Sequence, residues 1–327
     1  MKFPFSARRA AGTLCLLMGV QLGALPQSAA QPPDFDAVEI RDVPGYSGNY
    51  VRMSVGLDGR VLLACAQNKV NGILWVLDKE GRSEGFSEGM GNNVAGAAGN
   101  AEGVIAMAVP HVVHSVIFYN PECVETARYD DYTQDMENGV VGYGNPGGVW
   151  AGKSGRFYGF DVYGKAVRVY SSDGGEEKKI SLKTDQLVSA LPGMLFADEE
   201  NKRFVLVAKS GIYEFDMEGN LANFASVVLK GPVTMSETGQ LYHYEIQTGE
   251  LREIDMFGET LSTVTLPLVA EESDVDHPWW WSVAVHGGEV FLRKGHPTEL
   301  FHRYKLEDGS LIKVVEAVHE RAKLGTN

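Results

Sequence analysis

From about residue 37 onward, short runs of β-branched and aromatic residues are separated by clusters of Gly, Asn, Asp and Ser. Runs of this kind, bounded by turn-forming residues, read as strands. No long stretch repeats its apolar positions every 3.6 residues, so helices are not expected. Two turn signals recur along the chain. The first falls at Asp58-Gly59, Glu102-Gly103, Ser154-Gly155, Glu200-Asn201, Thr238-Gly239 and Gly287-Gly288, with second residues spaced 44, 52, 46, 38 and 49 apart. The second falls at Glu80-Gly81, Pro121-Glu122, Asp173-Gly174, Glu218-Gly219, Phe257-Gly258 and Asp308-Gly309. Glycine or asparagine there supplies the positive φ that a tight hairpin demands.

The segments between the turns agree with one another. Second strands are predicted at Val61–Ala66, Val104–Val109, Arg156–Val162, Arg203–Ala208, Gln240–Tyr244 and Glu289–Arg293. Third strands are predicted at Ile73–Leu77, Ser115–Tyr119, Ala166–Tyr170, Gly211–Phe215, Leu251–Ile254 and Leu300–Tyr304. One unit therefore reads inner strand, turn, apolar strand, loop, alternating strand, turn, outer strand, and it occurs six times. Repeats of about 40–50 residues with four strands each are propeller blades. The fold class is all-β, a six-bladed β-propeller of four-stranded antiparallel blades. A further strand, Ala37–Asp42, precedes the first blade, while the last blade already carries its own outer strand, Leu311–Val315. The early strand either adds outside the last blade or packs as an arm.

The first thirty residues break this pattern. Lys2, Arg8 and Arg9 form a positive start, Ala10–Leu25 is apolar and uncharged, and Ser28-Ala29-Ala30 offers small residues for cleavage. This reads as a signal peptide over residues 1–30, with a single propeller domain over 31–327. The apolar run is shorter than the roughly 20 residues of a membrane span, although an uncleaved anchor is the alternative. The motif residues expected after a twin arginine are missing, so general export is expected, and Cys15 lies in no lipobox. The expected location is periplasmic or secreted. Loss of the three leading cations takes the formal charge from −14 to −17. That charge repels nucleic acid and anionic lipid, so neither is an expected partner, nor is membrane insertion of the mature chain. Solubility accounts for it as well as a cationic partner does.

The repeat gives each loop an address. Turns joining strands one to two and three to four share the lower face; loops joining strands two to three, and blade to blade, share the upper face. Propellers usually hold ligands at the upper mouth. Cys65 falls near the upper end of a second strand, whereas Cys123 follows a lower turn and begins an outer strand. A disulfide needs Cα atoms within about 7 Å, so two free thiols are expected. Two upper loops are long and acidic. One carries Asp130, Asp131, Asp135 and Glu137, the other Glu271, Glu272, Asp274 and Asp276. Carboxylates so gathered suit a divalent cation such as calcium, with Asp131, Asp135, Asp274 and Asp276 as candidate ligands; the alternative is plain solvation. The second loop runs into His277-Pro278-Trp279-Trp280-Trp281. Strand alternation sets Trp280 opposite Trp279 and Trp281, so at least one indole faces the mouth as a binding platform, unless all pack between blades. His111, His243, His277 and His296 also have upper addresses. They are candidate ligand contacts or, as a ring, candidate metal ligands or bases.

There is no G-x-S-x-G elbow, no H-E-x-x-H, no C-x-x-C-H and no Walker-type loop. Segments such as Gly211–Gly219, Gly-Ile-Tyr-Glu-Phe-Asp-Met-Glu-Gly, resemble the third strand and turn of the six-bladed group containing NHL-repeat and SMP-30/gluconolactonase-like proteins. The resemblance spans the mature chain through its strand-and-turn pattern, without the Gly-x-Gly-x-x-x-Pro-x-Gly-Ile-Ala run of a regular NHL repeat. In the lactonase branch it implies an axial divalent cation held by Glu, Asn and Asp. No matching positions here carry that set, so the activity is not transferred. The leading reading is an exported propeller that binds a protein or small ligand over its upper face, without a catalytic signature. The alternative is a metal-dependent lactonase-like hydrolase or lyase.

Overall fold

The computed structural model describes residues 51–67, 71–88, 94–110, 114–132, 147–184, 194–269, 281–294 and 299–316. All of them belong to the compact unit Asp36–Asn327. They form six antiparallel sheets of four consecutive strands each. Blade 1 holds β1 (Val51–Val55), β2 (Val61–Gln67), β3 (Asn71–Leu77) and β4 (Ser83–Glu88). Blade 2 holds β5 (Gly96–Gly99), β6 (Ile105–Val109), β7 (Ser115–Tyr119) and β8 (Glu125–Tyr129). Blade 3 holds β9 (Val149–Ala151), β10 (Phe157–Asp161), β11 (Ala166–Tyr170) and β12 (Glu176–Ser181). Blade 4 holds β13 (Met194–Asp198), β14 (Arg203–Ala208), β15 (Gly211–Asp216) and β16 (Leu221–Ala225). Blade 5 holds β17 (Val233–Met235), β18 (Leu241–Glu245), β19 (Glu250–Ile254) and β20 (Thr260–Thr265). Blade 6 holds β21 (Ser282–His286), β22 (Glu289–Arg293), β23 (Glu299–Lys305) and β24 (Leu311–Glu316). The architecture is the six-bladed β-propeller that the turn pattern predicts. Inner strand β1 lies against both β5 and β21, which closes the ring.

Apart from β19, whose Glu250, Arg252 and Glu253 are partly exposed, the second and third strands are largely buried on both faces, which is why they read as nearly continuous apolar runs. Along β2, Val61 and Leu63 pack with Ala284, Phe291 and Phe301 of blade 6. The alternate residues Leu62 and Ala64 pack with Ala97, Met107 and Ile117 of blade 2. The same division places one apolar cluster at each of the six blade interfaces. There is no single core, and every blade depends on two neighbours.

A polar seam reinforces each interface near the lower face. The Arg60 guanidinium donates to the carbonyls of Gly103 (2.5 Å) and Pro121 (3.2 Å). The Asn100 amide donates to those of Gly155 and Ser172, each at 3.2 Å. Glu199 accepts from the Tyr158 hydroxyl (2.6 Å) and the Ser154 N–H (2.7 Å). Arg203 reaches the Gly239 carbonyl at 3.5 Å, and Glu237 accepts the Gly287 N–H at 2.9 Å. Arg303 closes the circle on the Lys79 carbonyl (2.9 Å) and Glu80 (3.0 Å) of blade 1. Among the described residues, the seam between blades 6 and 1 joins two complete blades rather than completing one. The Ala37–Asp42 strand lies outside the described residues.

The second turn of each unit meets the preceding blade. Gly219 has φ +81°, and a Cβ there would stand 2.2 Å from the Ser181 carbonyl oxygen, so both conformation and space call for glycine. In blade 2 the left-handed position is not Pro121-Glu122 but Cys123, at φ +63°. Asn120 fixes this turn by accepting the Val124 N–H at 2.9 Å, and β8 begins only at Glu125. Likewise, the left-handed residue of the first turn in blade 4 is Lys202 (φ +54°), one place beyond the predicted pair. Cys123 is a buried free thiol that packs against Gly85 of blade 1, and burial raises its pKa. The Cys65 side chain lies outside the described residues.

Candidate functional site

The upper face is assembled from loops whose roots are set by buried side chains in the blades. In β11, Val167 and Val169 pack toward blade 4, so Arg168 and Tyr170 between and after them face blade 2. An arginine at such a buried position must place its donors. One Arg168 nitrogen donates to the Asp131 carboxylate (2.6 Å) and to Glu176 (3.2 Å). The second terminal nitrogen donates to the Asp131 carbonyl (2.6 Å) and stands 3.7 Å from the fully buried Asp161, while the buried Nε has no hydrogen-bond partner among the described residues. Asp161 also accepts from Lys179 (2.9 Å) and the Gly164 N–H (2.9 Å). The guanidinium lies over the Tyr132 ring, 4.5 Å from its centroid. Tyr132 and Tyr170 share a hydroxyl–hydroxyl hydrogen bond of 2.8 Å, and burial raises the pKa of both phenols. Gly159 leaves room for this pair. Asp131 and Tyr132, the first residues of the acidic segment before blade 3, are therefore locked into blade 3.

The segment before blade 6 is rooted differently. Residues 270–280 lie outside the described residues, but both of their junctions rest on Tyr244. Its hydroxyl donates to the Leu268 carbonyl just before the segment. Just after it, the Trp281 ring lies 5.8 Å from the Tyr244 ring and is only 1% exposed, within the core between blades 5 and 6. One indole of the tryptophan run is thus committed to inter-blade packing.

His243 is buried in β18, its Nε2 without a hydrogen-bond partner among the described residues. That nitrogen lies under Gly231, where a Cβ would be 3.3 Å away. Burial, and then the nearby Arg252 charge, push its pKa down to about 4, so the ring is neutral at physiological pH. Asp131 keeps 72% of its side chain exposed even while Arg168 holds it. His111, His277, His296, Trp279, Trp280, Asp135, Asp274 and Asp276 lie outside the described residues. Among the described residues, no three His, Cys, Asp or Glu side chains gather as a metal site.

The lower mouth holds a small cavity of about 20 Å³, with Trp150, Ala197 and Met235 beside Glu199, Glu200 and Glu237. Its carboxylates are engaged only within the protein's own turns and seam, except that the buried Oε2 of Glu237 has no hydrogen-bond partner among the described residues and stands 3.7 Å from His286. Glu199 and Glu237 belong to the seam, and Glu200 takes Lys153 at 2.6 Å. The anchors Arg168, Tyr132 and Tyr244 escaped the reading of the sequence. The signal for Arg168 was present as one charge inside the apolar alternation Ala-Val-Arg-Val-Tyr.

No family model matches the chain, and no curated protein matches it in sequence. Among solved structures, a streptogramin B lyase aligns with a TM-score of 0.52 at 16% identity, covering 86% of this chain and 87% of its own. A selenomethionine-substituted virginiamycin B lyase from Staphylococcus aureus aligns at 0.49 and 11% identity, over 84% and 85% of the two chains. What this chain shares with the streptogramin B lyase is the six-bladed propeller fold.

Proposed function

We propose that the protein is exported, loses residues 1–30, and binds a protein or small ligand over the upper face of its propeller. Trp279, Trp280 and His277 form the main contact, with His111 and His296 from the loops of blades 2 and 6 beside it. His243, buried against Gly231, shapes the wall rather than touching the ligand. The observation that carries this reading is the double attachment of the segment before blade 6 to Tyr244. Because Trp281 is buried, Trp280 lies one Cα step of about 3.8 Å from a fixed point, and Trp279 no more than about 7 Å away. Indoles beside such a fixed point offer the large, amphipathic contact area that suits a recognition platform. The absence of nucleophile, zinc and phosphate-loop motifs from the sequence favours binding over chemistry.

Capture by the tagged protein from cell-envelope extract of the producing organism tests the platform. Trp280→Ala is expected to abolish capture while leaving the melting temperature unchanged. Trp281→Ala is expected to destabilise the fold by about 3–5 kcal/mol, as loss of a buried large aromatic does. Undiminished capture by Trp280→Ala would remove this segment from the site. N-terminal sequencing of the protein from the periplasm or medium tests export, with a start near Gln31 expected; an intact Met1 would overturn it.

A further inference from the structure

We propose that the outer edge of blade 5 is a docking strip that takes an extended, basic and apolar segment of a partner protein as an added strand. Outer strands of sheets normally carry charges that discourage further pairing. Here β4, β8, β12 and β24 each contain charged residues, whereas β20 reads Thr-Leu-Ser-Thr-Val-Thr. The other uncharged outer strand, β16, turns Phe224 onto Tyr213, with ring centroids 4.6 Å apart. β20 instead leaves Leu261 62% exposed. Of the seven large apolar residues exposed among the described residues, four (Val228, Phe257, Leu261 and Val269) lie on blade 5 or its connecting segments. Of these, Leu261 lies on the edge strand itself, where an exposed apolar side chain adds to the strand's fitness as an interaction surface.

The register shows which backbone groups are free. Leu266 N–H donates to the Gly249 carbonyl at 2.7 Å. Hydrogen-bonded pairs alternate along an antiparallel ladder, so the Leu251–Val264 and Glu253–Ser262 pairs bond and the Arg252–Thr263 pair does not. Thr263 therefore points its N–H and C=O outward, to an edge with which no described strand pairs. Beside it runs a groove of about 340 Å³ lined by Tyr242, Leu251, Val264 and Leu306, with Glu253 and Glu307 among its polar members. An added strand would bond to Thr263, lower an apolar side chain toward the partly exposed Val264 and Leu306, and set basic residues against the two glutamates. The same carboxylates, on a chain of formal charge −14, oppose a second copy as the occupant.

The probe is a fluorescein-labelled ten-residue peptide alternating Lys with Val and Thr, titrated against the purified protein; a matched peptide has Glu for Lys. Saturable binding of the Lys peptide and slowed hydrogen exchange at the Thr263 amide are expected. Thr263→Pro removes the outward donor without touching the ladder, and Leu261→Lys adds a blocking charge at an exposed position. Each is expected to weaken binding about tenfold or more while the melting temperature holds. Trp280→Ala is expected to leave this binding unchanged, which separates the strip from the upper-face platform. Equal binding of the Glu peptide, indifference to both substitutions, or a dimer dissolved by Thr263→Pro would overturn the proposal.

Discussion

Gly159→Ala is the sharpest perturbation of the loop root in blade 3. A Cβ at this position would stand 2.2 Å from the Tyr132 hydroxyl oxygen and 3.3 Å from a Tyr170 ring carbon. Gly159 belongs to strand β10, so alanine suits its backbone and, through the unfolded chain alone, would stabilise by about 0.4–1 kcal/mol. The contact reverses that sign. Moving Tyr132 breaks the 2.8 Å bond to Tyr170, worth about 1 kcal/mol net. Overpacking a filled core costs about 1–3 kcal/mol more. The expected loss is about 2 kcal/mol, or about 4–8 °C in a domain of this size. Tyr132→Phe removes the clashing oxygen, after which the nearest Tyr132 atom is the ring carbon at 3.4 Å, an ordinary contact. Only the Tyr170 ring carbon at 3.3 Å then asks for a small shift, which the gain through the unfolded chain offsets, so the double variant should match Tyr132→Phe in stability, a coupling of about 2 kcal/mol. Urea unfolding followed by tryptophan fluorescence measures all four corners of the cycle. Losses that add to within about 0.5 kcal/mol would refute the steric account, because independent sites behave that way.

Two further outcomes are expected. Arg303→Leu strips Glu289 of its bidentate partner (2.7–2.9 Å) and opens the closing seam; about 3 kcal/mol should be lost, and a melting temperature within 2 °C or so of the wild type would discount that seam. His243 titrates near 4 when folded and near its ordinary 6.5 when unfolded, so the unfolded chain holds the extra proton between those values. Stability should then fall by up to about 3 kcal/mol as pH drops through that window, and His243→Leu should flatten the urea-midpoint profile there. An unaltered profile would place the acid sensitivity elsewhere.

The propeller was legible because its information is local. Asp216 and Gly219 define a turn within four residues: the carboxylate accepts the Asn220 N–H at 2.8 Å, and the glycine supplies φ +81°. Both lie inside the segment that carried the resemblance. Burial of middle strands on both faces makes them read as unbroken apolar runs, so β14 and β22 match their predicted bounds. The misplaced turn at Cys123 arose where an asparagine four residues before Val124 stood in for the usual glycine signal. Local chemistry still closed that turn, through a different residue.

The loop roots were opaque for the opposite reason. Arg168 meets Asp131 across 37 residues, and Tyr244 meets Leu268 across 24, distances over which neither periodicity nor turn chemistry carries a signal. From sequence alone, strand alternation sets Trp280 opposite Trp279 and Trp281 but does not say which face is buried. The fold decides it for Trp281, which covers Tyr244 within the core of blades 5 and 6. Edge chemistry has the same origin. An uncharged run such as Thr260–Thr265 reads as any other strand until the register with β19 shows that Thr263 points its backbone outward. In a ring whose six cores all lie between blades, the residues left for recognition are those that the inter-blade contacts do not claim. The contact map separates a buried Trp281 from an exposed Leu261, a distinction that hydrophobicity does not make.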